Sequence, residues 1–332
     1  MINYTPIAAA APLLQINMKF DFSLIDRWIA YIDGAQRTRE TYTRNIQRFA
    51  DWLKQNGITQ PDRATIIQYR DELEQNHKPT TVHSYLVAVK LFFSWTELEN
   101  LYPNVAARVK NIAVDMEYKK DPLTSRQAHR VLNNLDTDSL TGMRDYAIIA
   151  LMLTTGLRTR SIMTANIEDI KPLGEIDVLY YQGKGRKGKN EYVKLSAPVH
   201  AAINRYLNAR QGEGEPLNPL EPLFVSTSNR CNGERITTRS ISRIVKNALI
   251  AAGCNSDRLT AHSLRHTAAT LAMLNGASLT EVQQLLGHKN INITMVYLHT
   301  LEKSKNSSTD RITGAIFGDD LTAIEGGEGL LY

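Results

Sequence analysis

The periodicity of apolar residues changes once along the chain, and this change most constrains the fold. Residues 22–113 repeat apolar side chains at helical spacing only, whereas strand-like alternation first appears near residue 176. Between the two patterns lies "AVDMEYKKDPLT" (113–124), which is rich in charge and has no periodicity. Such a segment is typical of a linker. Because 332 residues with 42% hydrophobic content can bury a core on each side of it, we expect two domains.

The first half predicts a helical domain over residues 19–112. Apolar residues recur at helical spacing in "LIDRWIAYI", "YTRNIQRFADWL", "IIQYRDEL" and "VHSYLVAVKLFFSW". Pro61, Pro79 and Pro103 fall between these runs, so we expect four or five helices. Residues 1–18 are expected to form a flexible arm. Their apolar run "IAAAAPLL" is too short to cross a bilayer and lacks the basic flank of a signal peptide.

The second half predicts a mixed α/β domain over residues 123–312, after a linker at 113–122. An apolar helix, "RDYAIIALMLTTG" (144–156), precedes two strand-like segments, "IDVLYYQ" (176–182) and "EYVKL" (191–195). The Gly- and Lys-rich turn between the two strands indicates a β-hairpin. Helical periodicity then returns toward the end of the chain.

The distribution of charge favours a polyanionic partner. Formal net charge is +5, but residues 1–311 hold all 39 Lys and Arg with 30 of the 34 acidic residues, which gives +9. Residues 313–332 are predicted to form an acidic C-terminal tail. Only Cys231 and Cys254 are present, which excludes a disulfide framework or a Cys-rich zinc site and favours a reducing cytoplasm.

The segment "LTAHSLRHTAATL" (259–271) is open to three interpretations. His262 and Arg265 share one helix face, with His266 about 100° round from it, and Thr260 is a candidate N-cap. A helix start with free N–H groups favours an anion. A metal is less favoured, because the permanent charge of Arg265 repels a cation. A solvated basic helix start is the third interpretation.

Further candidates lie on both sides of this helix. In "GASLTEVQQLLGHKNINITMVYLH" (276–299), a helix capped by Ser278 and Glu281 ends at Gly287, and Tyr297 follows His288 by nine residues. A tyrosine on such an amphipathic run is usually part of a core.

Upstream, "TTGLRTRSI" (154–162) presents Arg158 in the turn after a helix. The hairpin tip "YYQGKGRKGKNEY" (180–192) carries Lys184, Arg186, Lys187 and Lys189. It is not a phosphate-binding Walker loop, because no Gly-Lys-Ser/Thr opens a helix.

Taken together and in this order, Arg158, Lys184, "HSLRH", "LGH" and Tyr297 resemble the tyrosine recombinases, the family of phage integrases and of the Xer and Cre recombinases. The resemblance extends from about residue 20 to residue 300. It implies a mainly α fold with a small β-sheet in the catalytic domain. The helical core-binding domain and the mixed α/β tyrosine recombinase catalytic domain would form a two-domain, C-shaped DNA clamp.

The resemblance implies how a DNA phosphate is held. Arg158 and Arg265 would bind the two non-bridging oxygens, and His262 and His288 would add hydrogen bonds. The family usually has an acidic residue three positions after the first arginine, where this chain has Ser161. We therefore expect altered packing around Arg158 without loss of the chemistry.

The resemblance also implies the nucleophile and the acid. Tyr297 would attack the phosphorus to form a 3′-phosphotyrosyl link, His262 would be able to take the phenol proton, and Lys184 would protonate the leaving 5′-oxygen. The reaction is expected to need no cofactor and no metal.

Double-stranded DNA recombination sites are the partner that the resemblance implies, bound by a homotetramer that works through a Holliday junction. Accessory DNA-bending or directionality factors are compatible with it, and no membrane is involved. Two polar faces of the N-terminal domain and the hairpin would contact the duplex. The expected DNA-binding residues are Arg37, Thr41, Arg44, Arg48, Thr80, Thr81, Ser84, Lys90, Arg186 and Lys187. Because residues 19–112 carry 13 basic and 11 acidic side chains, ordinary solvated helix surface remains the alternative.

The sequence thus predicts a site-specific recombinase that is cytoplasmic and associated with the nucleoid. It would serve integration or excision of a mobile element, or resolution of DNA multimers. A type IB topoisomerase shares the phosphate chemistry and is one alternative. A non-catalytic DNA-binding relic of a recombinase is the other.

Overall fold

The computed structural model describes residues 19–113, 120–183, 185–186, 188–295, 297–298 and 308–317. The predicted arm and most of the predicted linker lie outside these residues. The chain divides into two compact units, residues 1–117 and 118–332. Each unit has its own hydrophobic core, so the expected two-domain, mainly helical fold is confirmed. In the part of the chain just listed, no helix is both long enough and apolar enough to cross a bilayer.

Helices are the only regular secondary structure in the described part of the first unit. Asp62 caps the third helix by accepting a hydrogen bond from the Thr65 N–H at 2.8 Å, and Pro79 opens the fourth, as expected for proline in a first turn. Phe49, Phe92 and Phe93 lie fully buried between the helices. The helices are α1 (Ser23–Tyr31), α2 (Gln36–Gln55), α3 (Arg63–Asn76) and α4 (Pro79–Leu98).

The second unit combines helices with one small antiparallel sheet. The sheet has the order β1-β2-β3, and the predicted hairpin is its β2-β3 pair, with Tyr180 opposite Tyr192. The strands are β1 (Ile170–Leu173), β2 (Ile176–Tyr181) and β3 (Glu191–Lys194). Its helices are α5 (Ser125–Asn133), α6 (Leu140–Thr155), α7 (Thr159–Thr164), α8 (Ala197–Gln211), α9 (Thr238–Ala251), α10 (Ala261–Leu274), α11 (Leu279–Leu286) and α12 (Ser308–Phe317), with a 3₁₀ turn at Ile167–Asp169.

Strand β1 was not predicted from the sequence. It has only four residues, includes Pro172, and pairs on one side with β2. A short edge strand needs no apolar alternation and tolerates proline, so the period-2 signal is absent.

Helix α6 organises the second unit. It is buried over most of its length, from Ala147 to Leu153, and packs against α8 and α10. Helix α10 also packs against α11. The carboxyl ends of α6 and α11 are therefore brought to the first turns of α10, which carry the "HSLRH" motif.

Candidate active site

Arg265 is the centre of the site. Its side chain is buried, with 3% of the residue exposed. One terminal nitrogen donates to the Gly156 carbonyl at 2.6 Å and the other to the Leu286 carbonyl at 2.6 Å. Gly156 follows the last residue of α6, and Leu286 is the last residue of α11. Because carbonyls at helix ends lack partners within their helices and carry partial negative charge, they stabilise a buried guanidinium.

Arg158 and His262 share a cavity with Arg265. Arg158 lies two residues beyond Gly156, at the N-cap of α7, and is half-buried. His262 stands in the first turn of α10. The cavity has a volume of about 540 Å³, and all three side chains line it. Ser161, where the family usually has an acid, is buried in α7.

His288 is held at the carboxyl end of α11. Gly287 ends the helix in the left-handed conformation, with φ +59°, and the predicted capping box of Ser278 and Glu281 opens it. The His288 N–H donates to the Gln283 carbonyl at 3.1 Å, and the Gln283 side-chain amide donates to the His288 carbonyl at 3.0 Å. The imidazole Nδ1 lies 2.9 Å from Thr294 Oγ1. Both the backbone and the ring of His288 are thus fixed.

Tyr297 packs against residues of α10 and α11. It is buried in a small cluster with Ala269, Val282 and Leu286. Its ring centroid lies 5.4 Å from that of His266, whose ring in turn meets that of His262 edge to face at 4.6 Å. His266 therefore connects the "HSLRH" helix to Tyr297 by ring packing.

The histidines of the site are kept neutral by burial and by the arginines. Burial, and then the charges of Arg265 and Arg158, lower the pKa of His288 to about 4. Burial, and then His262 and Arg265, lower the pKa of His266 to about 4. Partial desolvation, followed by Arg265 and Arg158, also lowers the pKa of His262. Neutral imidazoles can each donate one hydrogen bond and accept one.

The hairpin approaches the site from the other side. Position 287 leaves no room for a side chain, because a Cβ there would lie 2.8 Å from Tyr181 Oη and 3.0 Å from Glu191 Oε2. Tyr181 donates to Glu191 at 3.2 Å, and Glu191 pairs with Arg186 at 2.8 Å. Lys184 and Lys187 lie outside the described residues, so their predicted roles stay predictions.

In the first unit, the two predicted DNA-binding faces meet along the seam between α2 and α4. Asn45 donates to the carbonyl of Ser84 at 3.0 Å and to its hydroxyl at 3.1 Å, and Arg48 stacks over the ring of Tyr85 at 5.2 Å. Arg48 also lies 3.0 Å from the ring of His77. The remaining members of the two faces are exposed or half-buried on the same helices: Arg37, Thr41, Arg44, Thr80 and Thr81.

Lys90, half-buried on α4, makes a bond within the first unit. Its ammonium donates to the Val109 carbonyl at 2.5 Å, and burial lowers its pKa. The structure therefore gives Lys90 a bond to the segment after α4, which spacing along one helix could not indicate.

The cavity also contains residues that sequence patterns did not single out. Arg160, Ser242 and Lys246 line it beside Arg158, and Lys246 donates to the Ser256 carbonyl at 2.8 Å. The i, i+4 spacing of Ser242 and Lys246 on α9 was a usable but unspecific signal. Among the described side chains, no group of three or more His, Cys, Asp or Glu is placed to hold a metal ion.

Two family profiles match long stretches of the chain. The Phage integrase family profile matches residues 122–304, and the profile of the Phage integrase N-terminal SAM-like domain matches residues 24–101. Tyrosine recombinase XerC of Corynebacterium glutamicum is 30% identical over 287 residues, covering 85% of this chain and 88% of the relative. Tyrosine recombinase XerD of Ralstonia nicotianae is 29% identical over 272 residues, covering 80% and 85%.

Two solved structures share the fold. The XerH site-specific recombinase, bound to palindromic difH substrate in a post-cleavage complex, has a TM-score of 0.68 at 22% identity, covering 82% of this chain and 80% of that one. A lambda integrase (75–356) dimer bound to a COC′ core site has a TM-score of 0.63 at 16% identity, covering 81% and 95%. The family expected from the motifs is confirmed: the chain belongs to the phage integrase family, the tyrosine recombinases.

Proposed function

We propose that this site-specific DNA recombinase cuts and rejoins its DNA through a 3′-phosphotyrosyl intermediate on Tyr297. The observation that carries the proposal is the bridge made by Arg265 between the ends of α6 and α11. This bridge gathers the turn of Arg158, the first turn of α10 and the turn of His288 around one guanidinium. Such an array suits one phosphodiester, whose negative charge must be neutralised before a nucleophile can approach.

Arg158 and Arg265 would neutralise that charge. A guanidinium stays protonated at any physiological pH and has five N–H donors in a planar fork, so bonds to two carbonyls are compatible with binding to phosphate oxygens. His288, neutral because burial and the arginines lower its pKa to about 4, would donate to a non-bridging oxygen.

The proton transfers need a base and an acid. Attack forms the bond between the Tyr297 oxygen and phosphorus and breaks the bond to the 5′-oxygen. The lowered pKa of His262 keeps its imidazole neutral, so it could accept the phenol proton. Lys184, which lies between β2 and β3 in the sequence, would give a proton to the departing 5′-oxygen. Since the phosphotyrosyl link keeps the bond energy, a partner 5′-hydroxyl can reverse the reaction without ATP.

Replacement of the nucleophile tests this assignment. The Tyr297→Phe variant should bind its DNA site with unchanged affinity and form no covalent complex on a nicked suicide substrate. The rivals Tyr180, Tyr181 and Tyr192 lie in the sheet, where Tyr180 and Tyr192 pair across strands and Tyr181 binds Glu191. Phenylalanine at each of these three should leave covalent trapping intact. A covalent complex in Tyr297→Phe would assign the nucleophile elsewhere.

The absence of a metal requirement is a separate proposal. Charge neutralisation by two arginines does the work that a divalent cation does in other phosphoryl-transfer enzymes. Cleavage should therefore retain its full rate in excess EDTA. An EDTA-sensitive reaction that Mg²⁺ restores would revive the metal interpretation.

The first unit would hold the duplex through the seam between α2 and α4. Arg44 and Arg48 lie on α2 beside this seam, and the cation–π contact of Arg48 with Tyr85 presents its charged group at the surface. The sites bound in the two solved relatives, a palindromic difH substrate and a COC′ core site, support a DNA duplex as the partner. We extend it to this chain, with contacts to phosphates that position the enzyme and with Arg186 and Lys187 adding contacts from the hairpin.

We also propose that the protein assembles as a homotetramer on two duplexes, with a Holliday junction as intermediate. Helix α12 exposes Ile312 and Ile316, with 58% and 67% of each residue accessible. Exposed apolar residues four apart on one face suit docking against another surface, in the same or a neighbouring protomer. We propose that Ala315, Ile316 and Phe317, at the end of this helix, form an apolar plug that docks against that surface. The helix spans residue 313, where the tail was predicted to begin.

Two assays separate the alternatives. A plasmid carrying two target sites should yield recombinant products, whereas a type IB topoisomerase would only relax it. A recombinase relic would bind the site but never become covalently attached. Integration or excision of a mobile element and resolution of DNA multimers both remain within the proposal, as do accessory factors. The DNA that flanks the gene would distinguish the two roles.

A further inference from the structure

A single buried hydroxyl joins His288 to the segment that carries Tyr297. Thr294 is completely buried, and its Oγ1 lies 2.9 Å from His288 Nδ1. Thr294 belongs to the helical residues 292–295, three residues before Tyr297, and its N–H donates to the Ile291 carbonyl at 2.7 Å. The contact therefore connects two parts of the proposed site directly.

The bond of Thr294 differs from those of Thr96 and Thr267, which are also completely buried. Thr96 donates its hydroxyl to the Phe93 carbonyl at 3.0 Å, and Thr267 donates to the Ser263 carbonyl at 2.8 Å. These bonds within one helix are the usual arrangement for threonine in a helix. The hydroxyl of Thr294 lies instead against a side chain of the site, six residues earlier in the sequence.

The chemistry of a neutral imidazole indicates what this contact does to the His288 ring. Such a ring has one N–H and one lone pair, and the hydrogen bond made by one nitrogen determines which of the two carries the proton. A hydroxyl that donates to Nδ1 leaves the proton on Nε2. Nε2 can then donate to an acceptor such as a phosphate oxygen.

We propose that Thr294 is a positioning residue for His288: its hydroxyl donates to Nδ1 and so holds the ring in the orientation and tautomer that present the Nε2 proton to the phosphate. This inference rests on the proposed function, which gives His288 its phosphate. Threonine suits the position because its methyl group fills the buried space while its hydroxyl makes the bond.

The test compares Thr294→Val with Thr294→Ser in single-turnover cleavage of a suicide substrate. Removing one hydrogen-bond donor from an oxyanion site typically slows a reaction about 10²–10³-fold. In Thr294→Val the His288 donor is still present but no longer held in place, so cleavage should slow roughly 10–100-fold. Thr294→Ser keeps the hydroxyl and should stay within about threefold of the wild type. DNA affinity should not change in either. Thr96→Val makes the same change at a completely buried threonine of the first unit and should cleave normally.

A double-mutant cycle separates positioning from packing. If Thr294 acts through His288, Thr294→Val should cause no further loss of rate in a His288→Ala background. An equal loss in both backgrounds would mean that Thr294 acts through the Tyr297 segment, and the proposal would be overturned. Wild-type cleavage by Thr294→Val would also overturn it.

A measurement on the unmutated protein covers the case in which Thr294→Val does not fold. In the full chain labelled with ¹⁵N-histidine, His288 should be the tautomer protonated at Nε2. The tautomer protonated at Nδ1 would overturn the proposal. Failure of the proposed function has a different signature, namely a wild-type protein that forms no covalent complex or a Tyr297→Phe variant that does.

Discussion

Replacing Gly156 with alanine should test how tightly the site depends on the end of α6. Gly156 adopts a left-handed conformation with φ +63°, which favours glycine. A Cβ at this position would lie 2.7 Å from Leu286 Cδ2 and 3.4 Å from Ala268 Cβ. Leu286 is itself almost fully buried, so it has little room to move. Alanine therefore meets backbone strain and a steric clash together.

The two effects can be given magnitudes. A left-handed conformation costs a residue with a Cβ about 1–2 kcal/mol. Forcing an extra carbon into a packed core costs about 1–3 kcal/mol. Gly156→Ala should therefore lower the free energy of unfolding of the second unit by roughly 2–5 kcal/mol. In a unit of this size, Tm should fall by about 2–4 °C for each kcal/mol.

Gly253→Ala is the matched control. Gly253 follows α9 with φ +71°, and a Cβ there meets no atom within 4 Å. It should show only the strain, about 1–2 kcal/mol. Thermal denaturation should rank the wild type above Gly253→Ala and both above Gly156→Ala. Equal losses in the two variants would refute the packing argument, and an unchanged Gly156→Ala would refute both parts.

Three further predictions concern the pH dependence, the DNA contacts and the tail. The folded pKa of about 4 for His266 and His288 lies below the ordinary 6.5, so the unfolded chain binds more protons between these values. The urea concentration at the midpoint of unfolding should therefore stay constant above pH 6.5 and fall as the pH drops toward 4. A midpoint that does not change with pH would contradict the lowered pKa of these two histidines. Arg44→Ala with Arg48→Ala should weaken DNA binding and flatten its salt dependence, and an unchanged salt slope would count against these contacts. Deleting residues 313–332 should impair synapsis in a two-site assay. If the truncated protein still forms tetramers and recombines normally, the tail does not couple the protomers.

The elements that local physics determines were predictable from the sequence. Ser278 and Glu281 cap α11 and Gly287 ends it, as their spacing indicated, because these signals act within a few residues. The hairpin was predicted from alternation and a glycine-rich turn. The family was identified from motifs that are far apart in the sequence. Signals that act within a few residues do not connect such motifs.

The contacts within the site were not predictable in the same way. The inward bond of Lys90 to the Val109 carbonyl depends on where the chain turns after α4. The bond between Thr294 and His288 depends on the path between Gly287 and the helical segment that follows. Spacing identifies which residues share a helix face, but it does not reveal which side chain of another element meets them.

The structure also gives a physical reason for the glycines beside the candidate residues. Gly156 and Gly287 each end a helix in the left-handed conformation, two residues before Arg158 and one before His288. These sharp ends place the carbonyls of Gly156 and Leu286 where Arg265 can bind both. A single buried cation thus satisfies two helix ends and orients the turns that carry the other two side chains. Arg265→Lys keeps the positive charge but should fail to form the covalent complex on a suicide substrate. The reason is that an ammonium on a flexible stem cannot bind two carbonyls and a phosphate in one plane.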